Sequence, residues 1–199
     1  LQELFAVFNG EIIFPCSYFV GSIITRTRAN NQGFMDLIKA KNHICALALI
    51  RLQIDNSILL YQAQLVEDPD DFFQYMANGN EAYKYKGNKK MKIDFHERKI
   101  VEALNQRYDD IKGLYTTCSG FIHFSSKHIS SSYKQEFKKD GLNLYINEHF
   151  TVFYSDEDYK TVYNTMLYVN EVVLDLLHYW EKLYLQNVEI ALKQSSNPK

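Results

Sequence analysis

The sequence predicts an all-α protein, a helical bundle around two long helices with one or two small β-hairpins at its edge. Three observations carry that expectation. Residues 42–66 (NHICALALIRLQIDNSILLYQAQLV) hold only two formal charges, Arg51 and Asp55, and no Gly or Pro, in a composition rich in helix formers. Apolar residues fall nearly all round this stretch, at Ile44, Leu47, Ile50, Ile54 and Ile58, and also on a heptad seam from Phe34 through Leu52 and Leu59 to Val66. That is the pattern of a buried central helix. Finally, Tyr159, Val162, Met166, Val169, Val173, Leu176, Trp180 and Leu183 keep 3–4 spacing, which predicts a second helix from about Asp156 to Lys193, on the order of 50 Å long. The chain, 1–199, reads as one helical-bundle domain.

Taken in order, Leu1–Phe8 is expected to form a short helix ended by Asn9-Gly10, and about Ser17–Arg28 a second. Asn30-Asn31-Gln32-Gly33 reads as a break, after which Phe34 opens the central helix. Asp68-Pro69-Asp70-Asp71 spells a helix start, with Asp as N-cap and Pro at the first helical position, stopping at Asn78-Gly79. These acids are therefore assigned to helix punctuation rather than to a metal. Glu81–Ile93 alternates Tyr and Lys around Gly87-Asn88, the signature of a small hairpin or a loop. Asp94-x-x-Glu97 resembles a capping box for a helix carrying Val101 and Leu104 inward. Ile111, Leu114, Tyr115, Cys118 and Ile122 define a further helix. Leu142, Leu144 and Ile146, followed by Phe150, Val152 and Tyr154, read as a two-stranded hairpin around Asn147-Glu148-His149. Ser155-Asp156-Glu157-Asp158 caps the last helix, and the chain from Ser195 reads as a frayed tail.

Composition excludes some functions and leaves others open. An apolar fraction of 46% is that of a folded globular chain, and fifteen Tyr with thirteen Phe suit a core or an interface. The net charge of −2 exerts no global pull on nucleic acid or anionic membrane, so any such contact has to be local. Cys16, Cys45 and Cys118 are odd in number and lack metal spacing, which reads as reduced and cytoplasmic. The charge-free run Ile12–Thr25 is interrupted by Pro15 and Gly21 and falls short of the roughly 20 residues a span needs, so no membrane association is expected. The chain starts at Leu1 rather than Met, which reads as a trimmed start and leaves a removed leader open.

No HExxH, GxSxG, P-loop or GxGxxG is present, and neither a cofactor nor a metal is expected. His43, His96, His149 and His178 are scattered, and His123 and His128 stand five apart, a poor spacing for shared ligation. The remaining constellation lies on two helices. Arg51, Asp55 and Asn56 come from one, and Tyr115, Ser119 and His123 from the other. Arg offers a fixed fork for phosphate and His acid–base chemistry near neutral pH. Arg51, His123, Ser119 and Asp55 are thus candidate catalytic side chains for phosphodiester cleavage by an internal ribose hydroxyl, with Asn56 and Tyr115 as binding candidates. Lys84, Lys86, Lys89 and Lys90, interleaved with Tyr83 and Tyr85, are candidates for gripping RNA phosphates and stacking a base. The competing readings are a solvated basic protrusion and a buried Arg–Asp pair that fixes helix register.

The RLQIDN block (Arg51–Asn56) followed by YTTCSGFIHFS (Tyr115–Ser125) resembles a group of bacterial all-helical proteins with an Arg-bearing helix and a later Y-x3-S-x3-H helix. These in turn resemble the HEPN superfamily of helical RNases and abortive-infection proteins. The resemblance implies an RNA-directed, metal-independent endoribonuclease with Arg51 and His123 at its site. That superfamily's usual Arg-polar-x3-His run on one helix is absent here. The alternative is a non-catalytic homodimeric scaffold, joined through the C-terminal helix with Trp180 and Tyr184 at the contact, whose polar cluster is structural.

Overall fold

A computed structural model describes residues 15–88, 90, 93–123, 125–126, 133–138, 141–146 and 154–195, and these are mostly helical. The expected helix at Leu1–Phe8, the serine run after His128, His149 and the tail beyond Ser195 lie outside them.

Helix α1 (Pro15–Lys39) opens on a proline, whose missing N–H costs nothing in a first turn. It runs straight through Asn30, Asn31 and Gly33, so the break expected there is absent. The amides stay helical because the fold gives them distant partners. Asn30 Nδ2 donates to Gln53 Oε1 at 3.1 Å, and Asn31 Oδ1 accepts from Asn170 Nδ2 at 2.9 Å. The chain turns instead at Lys41, in the left-handed region at φ 56°. Asn42 then caps α2 (His43–Gln64), its side chain accepting from the Cys45 amide at 3.1 Å. The continuous helix expected from Phe34 to Val66 is thus cut in two.

Helix α2 touches all five other α-helices among the described residues. It has the length and apolarity of a membrane-crossing helix, yet Arg51, Gln53, Asn56, Ser57 and Gln62 are all buried along it. Those polar side chains and the packing on every side make it the core helix of this fold.

Helix α3 (Pro69–Ala77) starts as its sequence spells: Asp68 Oδ1 accepts from the amides of Asp70 and Asp71 at 3.0 and 3.1 Å, and Gly79 turns the chain away at φ 82°. The Tyr/Lys stretch that follows forms a short 3-10 turn, Ala82–Lys84, and no hairpin among its described residues. Tyr85 explains the difference. Its ring is buried against Phe72, Tyr75 and Phe95, its hydroxyl donates to Asp71 at 2.7 Å, and a Cβ on Gly87 would strike it. Two backbone bonds, Glu67 N to Asn88 O (3.1 Å) and Lys90 N to Leu65 O (2.8 Å), hold the far end against the exit of α2.

Helices α4 (Glu97–Arg107) and α5 (Ile111–Ile122) pack on α2 and on each other. Strand β1 (Tyr133–Lys138) pairs antiparallel with β2 (Gly141–Ile146), from Tyr133 opposite Ile146 to Lys138 opposite Gly141. The partner of β2 therefore precedes it in sequence. Only two residues separate the strands, the shortest common hairpin connection. Phe150 and Val152, expected as the second strand, lie outside the described residues.

Helix α6 (Asp156–Ser195) has 40 residues and is about 60 Å long. Ser155 and Asp158 form a reciprocal cap: Ser155 Oγ accepts from the Asp158 amide at 3.2 Å, and Asp158 Oδ2 from the Ser155 amide at 2.7 Å. Trp180 and Tyr184 are 1% and 5% exposed, with Phe73 of α3 edge-on to the indole at 5.8 Å. They are core residues of a single chain, contrary to the interface role expected of them, because α1 and α3 fold over the strip that carries them.

Candidate functional site

Arg51 and Asp55 stand one turn apart on α2, so their side chains meet, and the Nη1 of Arg51 is ion-paired with Asp55 Oδ1. From α4, Glu97 Oε1 accepts from Nη2. From α5, Ser119 Oγ accepts from Nε at 2.8 Å, and the Tyr115 ring lies with its centroid 4.1 Å from the guanidinium carbon. The Arg51 side chain is 9% exposed, against 26% for Asp55 and 42% for Glu97. Four of the expected residues, Arg51, Asp55, Ser119 and Tyr115, therefore converge where α2, α4 and α5 meet.

Two do not join them. His123 ends α5 as its C-cap, is exposed, and takes no part in the Arg51 contacts. Asn56 is turned towards α1, accepting from Arg26 Nη1 at 3.0 Å and donating to Thr27 Oγ1 and Gln53 Oε1, both at 3.1 Å. Of the basic candidates, Lys84 is exposed and paired with Glu81, while Lys86 and Lys90 are exposed. Lys89 lies outside the described residues. Tyr85, being buried, is closed to a base; Tyr83, 48% exposed, is open to one.

Chemically, one guanidinium faces two carboxylates. Arg51 spends its fork on Asp55, Glu97 and Ser119, which leaves it poorly placed to grip a phosphate. Glu97 escaped the sequence reading because Asp94-x-x-Glu97 has the form of a cap. In the fold the helix starts at Glu97, with His96 as an N-cap that makes no side-chain cap bond. Asp94 accepts only from the His96 amide, at 3.0 Å, and Glu97 is drawn to a partner 46 residues earlier. Arg26, also missed, is half-buried nearby. Burial, and then the charge of Arg51, push its guanidinium below its usual value.

A cleft of about 330 Å³ opens beside this junction, lined by Arg26, Asp55, Ile58, Leu59, Gln62, Ala82, Tyr83 and Glu97. On the opposite side of α2 lies an uncharged belt. Gln53 Nε2 donates to Thr27 Oγ1 (3.2 Å) and Asn170 Oδ1 (3.0 Å), and Gln53 Oε1 accepts from Asn30 and Asn56. Its sequence signal is a shared three-residue spacing, Thr27/Asn30 on α1 and Gln53/Asn56 on α2. Among the described residues no three His, Cys, Asp or Glu side chains gather as a metal site, and the three cysteines are free thiols. No protein-family model, curated protein or solved structure matches the chain.

Proposed function

We propose that this protein is a non-catalytic interaction module, a cytoplasmic homodimeric scaffold built around α2 and α6, whose Arg51 cluster is structural. The observation that supports this reading is the state of Arg51: buried, stacked on Tyr115, and bonded to a residue from each of three helices. Such a group fixes the register of α2, α4 and α5 more readily than it binds an anion. Self-association is supported by apolar residues left outside on α6, with Leu185, Ile190 and Leu192 each more than half exposed. Light scattering is expected to give twice the 23.4 kDa chain mass; a single-chain mass unchanged on dilution removes the dimer.

One observation favours a second reading, a HEPN-like metal-independent endoribonuclease. The Arg51–Ser119 hydrogen bond brings the Arg helix onto the Y-x3-S-x3-H helix, one turn before exposed His123. The two readings part on incubation with single-stranded RNA in a chelator. The scaffold reading expects no cleavage above a mock preparation. Cleavage by the parent chain, lost in His123→Ala at unchanged melting temperature, overturns it.

A further inference from the structure

Beside the Arg51 junction, the cleft has features that the junction's structural role does not require. Gln62 is 2% exposed and lines it. Its Nε2 donates to the Phe95 carbonyl at 3.1 Å, which fixes the amide's orientation, because a flipped amide would set two oxygens face to face. Its Oε1 is left buried with no hydrogen-bond partner among the described residues. A buried acceptor without a donor is costly, and a ligand N–H removes that cost.

Around this acceptor the wall has a definite chemistry. Glu97 gives one oxygen to Arg51 and is 42% exposed, so carboxylate capacity remains for a donor. Arg26 spends Nη1 on Asn56 and brings further N–H donors to the cleft. Ile58 and Leu59 supply an apolar floor, and Tyr83, 48% exposed, supplies an aromatic ring at the rim. The volume lies at the low end of small-molecule sites, which run from about 300 to 1,000 Å³. It suits one planar ring system.

We propose that this cleft binds a single unpaired guanine base. Among the standard bases, guanine alone carries two adjacent ring-edge donors, N1–H and the 2-amino group, beside an acceptor, O6. That order complements two acceptors, Gln62 Oε1 and the Glu97 carboxylate, beside a donor, Arg26. Tyr83 stacks on the base, as aromatic side chains do in recognition of single-stranded nucleic acid. The exposed Lys84 and Lys86 next to Tyr83 meet the attached phosphates. The site goes beyond the scaffold reading and stands whether or not the chain dimerises or cleaves RNA.

The test is binding by fluorescence anisotropy of labelled eleven-nucleotide RNAs, oligouridine with one central guanosine or one central adenosine, with GMP and AMP titrated calorimetrically. The guanosine RNA is expected to bind at least tenfold tighter than the adenosine RNA. Tyr83→Ala, a change at an exposed position, is expected to weaken it roughly tenfold. Gln62→Leu, followed by melting temperature, is expected to erase the preference for guanosine. GMP binding as tightly as the RNA identifies a free nucleotide as the ligand; binding of the RNA alone identifies a base within a strand. Equal binding of the two RNAs, binding untouched by Tyr83→Ala, or no binding of any probe overturns the proposal.

Discussion

Helix α2 carries two polar regions that solve the same problem in opposite ways. On one side Arg51 brings a full charge inside and needs Asp55, Glu97, Ser119 and Tyr115 to offset it, with both carboxylates left partly in water. On the other side Gln53 and Asn56, both 0% exposed, bond Thr27, Asn30 and Asn170 as neutral groups, and a formal charge enters only where half-buried Arg26 donates to Asn56. A charge is expensive to desolvate and stays near the edge of the core, whereas amides bonded to amides can be buried dry. The first arrangement puts Asp55 and Glu97 directly in the wall of the open cleft, and the second reaches that wall only through Arg26. That contrast is why the candidate ligand site lies on the charged side.

The contrast can be broken most forcefully at the junction. Asp55→Asn together with Glu97→Gln strips both counter-charges from a buried guanidinium, and urea unfolding is expected to show a loss of about 3–5 kcal/mol. Asp55→Asn alone should cost less, because Glu97 remains. A loss below about 1 kcal/mol for the double variant would place Arg51 in a solvent-screened environment and erase the distinction.

A smaller effect is expected in the amide belt. Gln53→Leu keeps the volume but leaves Asn30, Asn56, Thr27 and Asn170 each short of a bond, at a cost of about 2 kcal/mol. Its signature is insensitivity to salt: the loss should be the same in about 0.1 and 1 M NaCl, since each bond that Gln53 makes is to a neutral group. A loss that changes with salt would mean that the belt is coupled to the Arg51 charge.

The smallest expected effect concerns His43, which is buried and stacked on Tyr154 at 3.8 Å. Burial pushes its pKa below the usual 6.5, and Asp158 opposes this more weakly. In the window between the lowered folded value and 6.5, the unfolded chain binds more protons than the folded one. Stability is therefore full above 6.5 and declines as pH falls through that window. The melting temperature should fall modestly from pH 7.5 to 5.5, and His43→Phe should flatten the profile. An unchanged slope in that variant would assign the acid sensitivity to other groups.

What the sequence disclosed and what it hid follow one physical rule. Signals complete within a turn or two of chain were readable: the Asp68-Pro69 start of α3, the Ser155/Asp158 cap of α6, and the Arg51–Asp55 step on α2. Residues whose partners lie far off in sequence were misread by their local preferences. Asn30 and Asn31 looked like a turn because their partners, Gln53 and Asn170, lie 23 and 139 residues away. Glu97 looked like a cap for the same reason. Trp180 looked like a free surface because the helices that bury it precede it by most of the chain. At the candidate site the Arg51 contacts on α2 and α5 were legible, while Arg26 and Gln62 of the cleft were not, since an Arg and a Gln inside helices carry no local sign of facing one another.

The reach of Gln53 also bears on the route by which the chain folds. It bonds Asn30 across 23 residues of chain and Asn170 across 117. Closing the longer loop costs about 1.4 kcal/mol more in chain entropy than closing the shorter one. The α1–α2 hairpin is therefore the cheaper unit to form first, carrying a half-finished row of amides on its face. Only when α6 arrives does that row find its last acceptor. One glutamine thus ties a short-loop contact to a long-loop one, and the arrival of α6 is the step expected to set the folding rate.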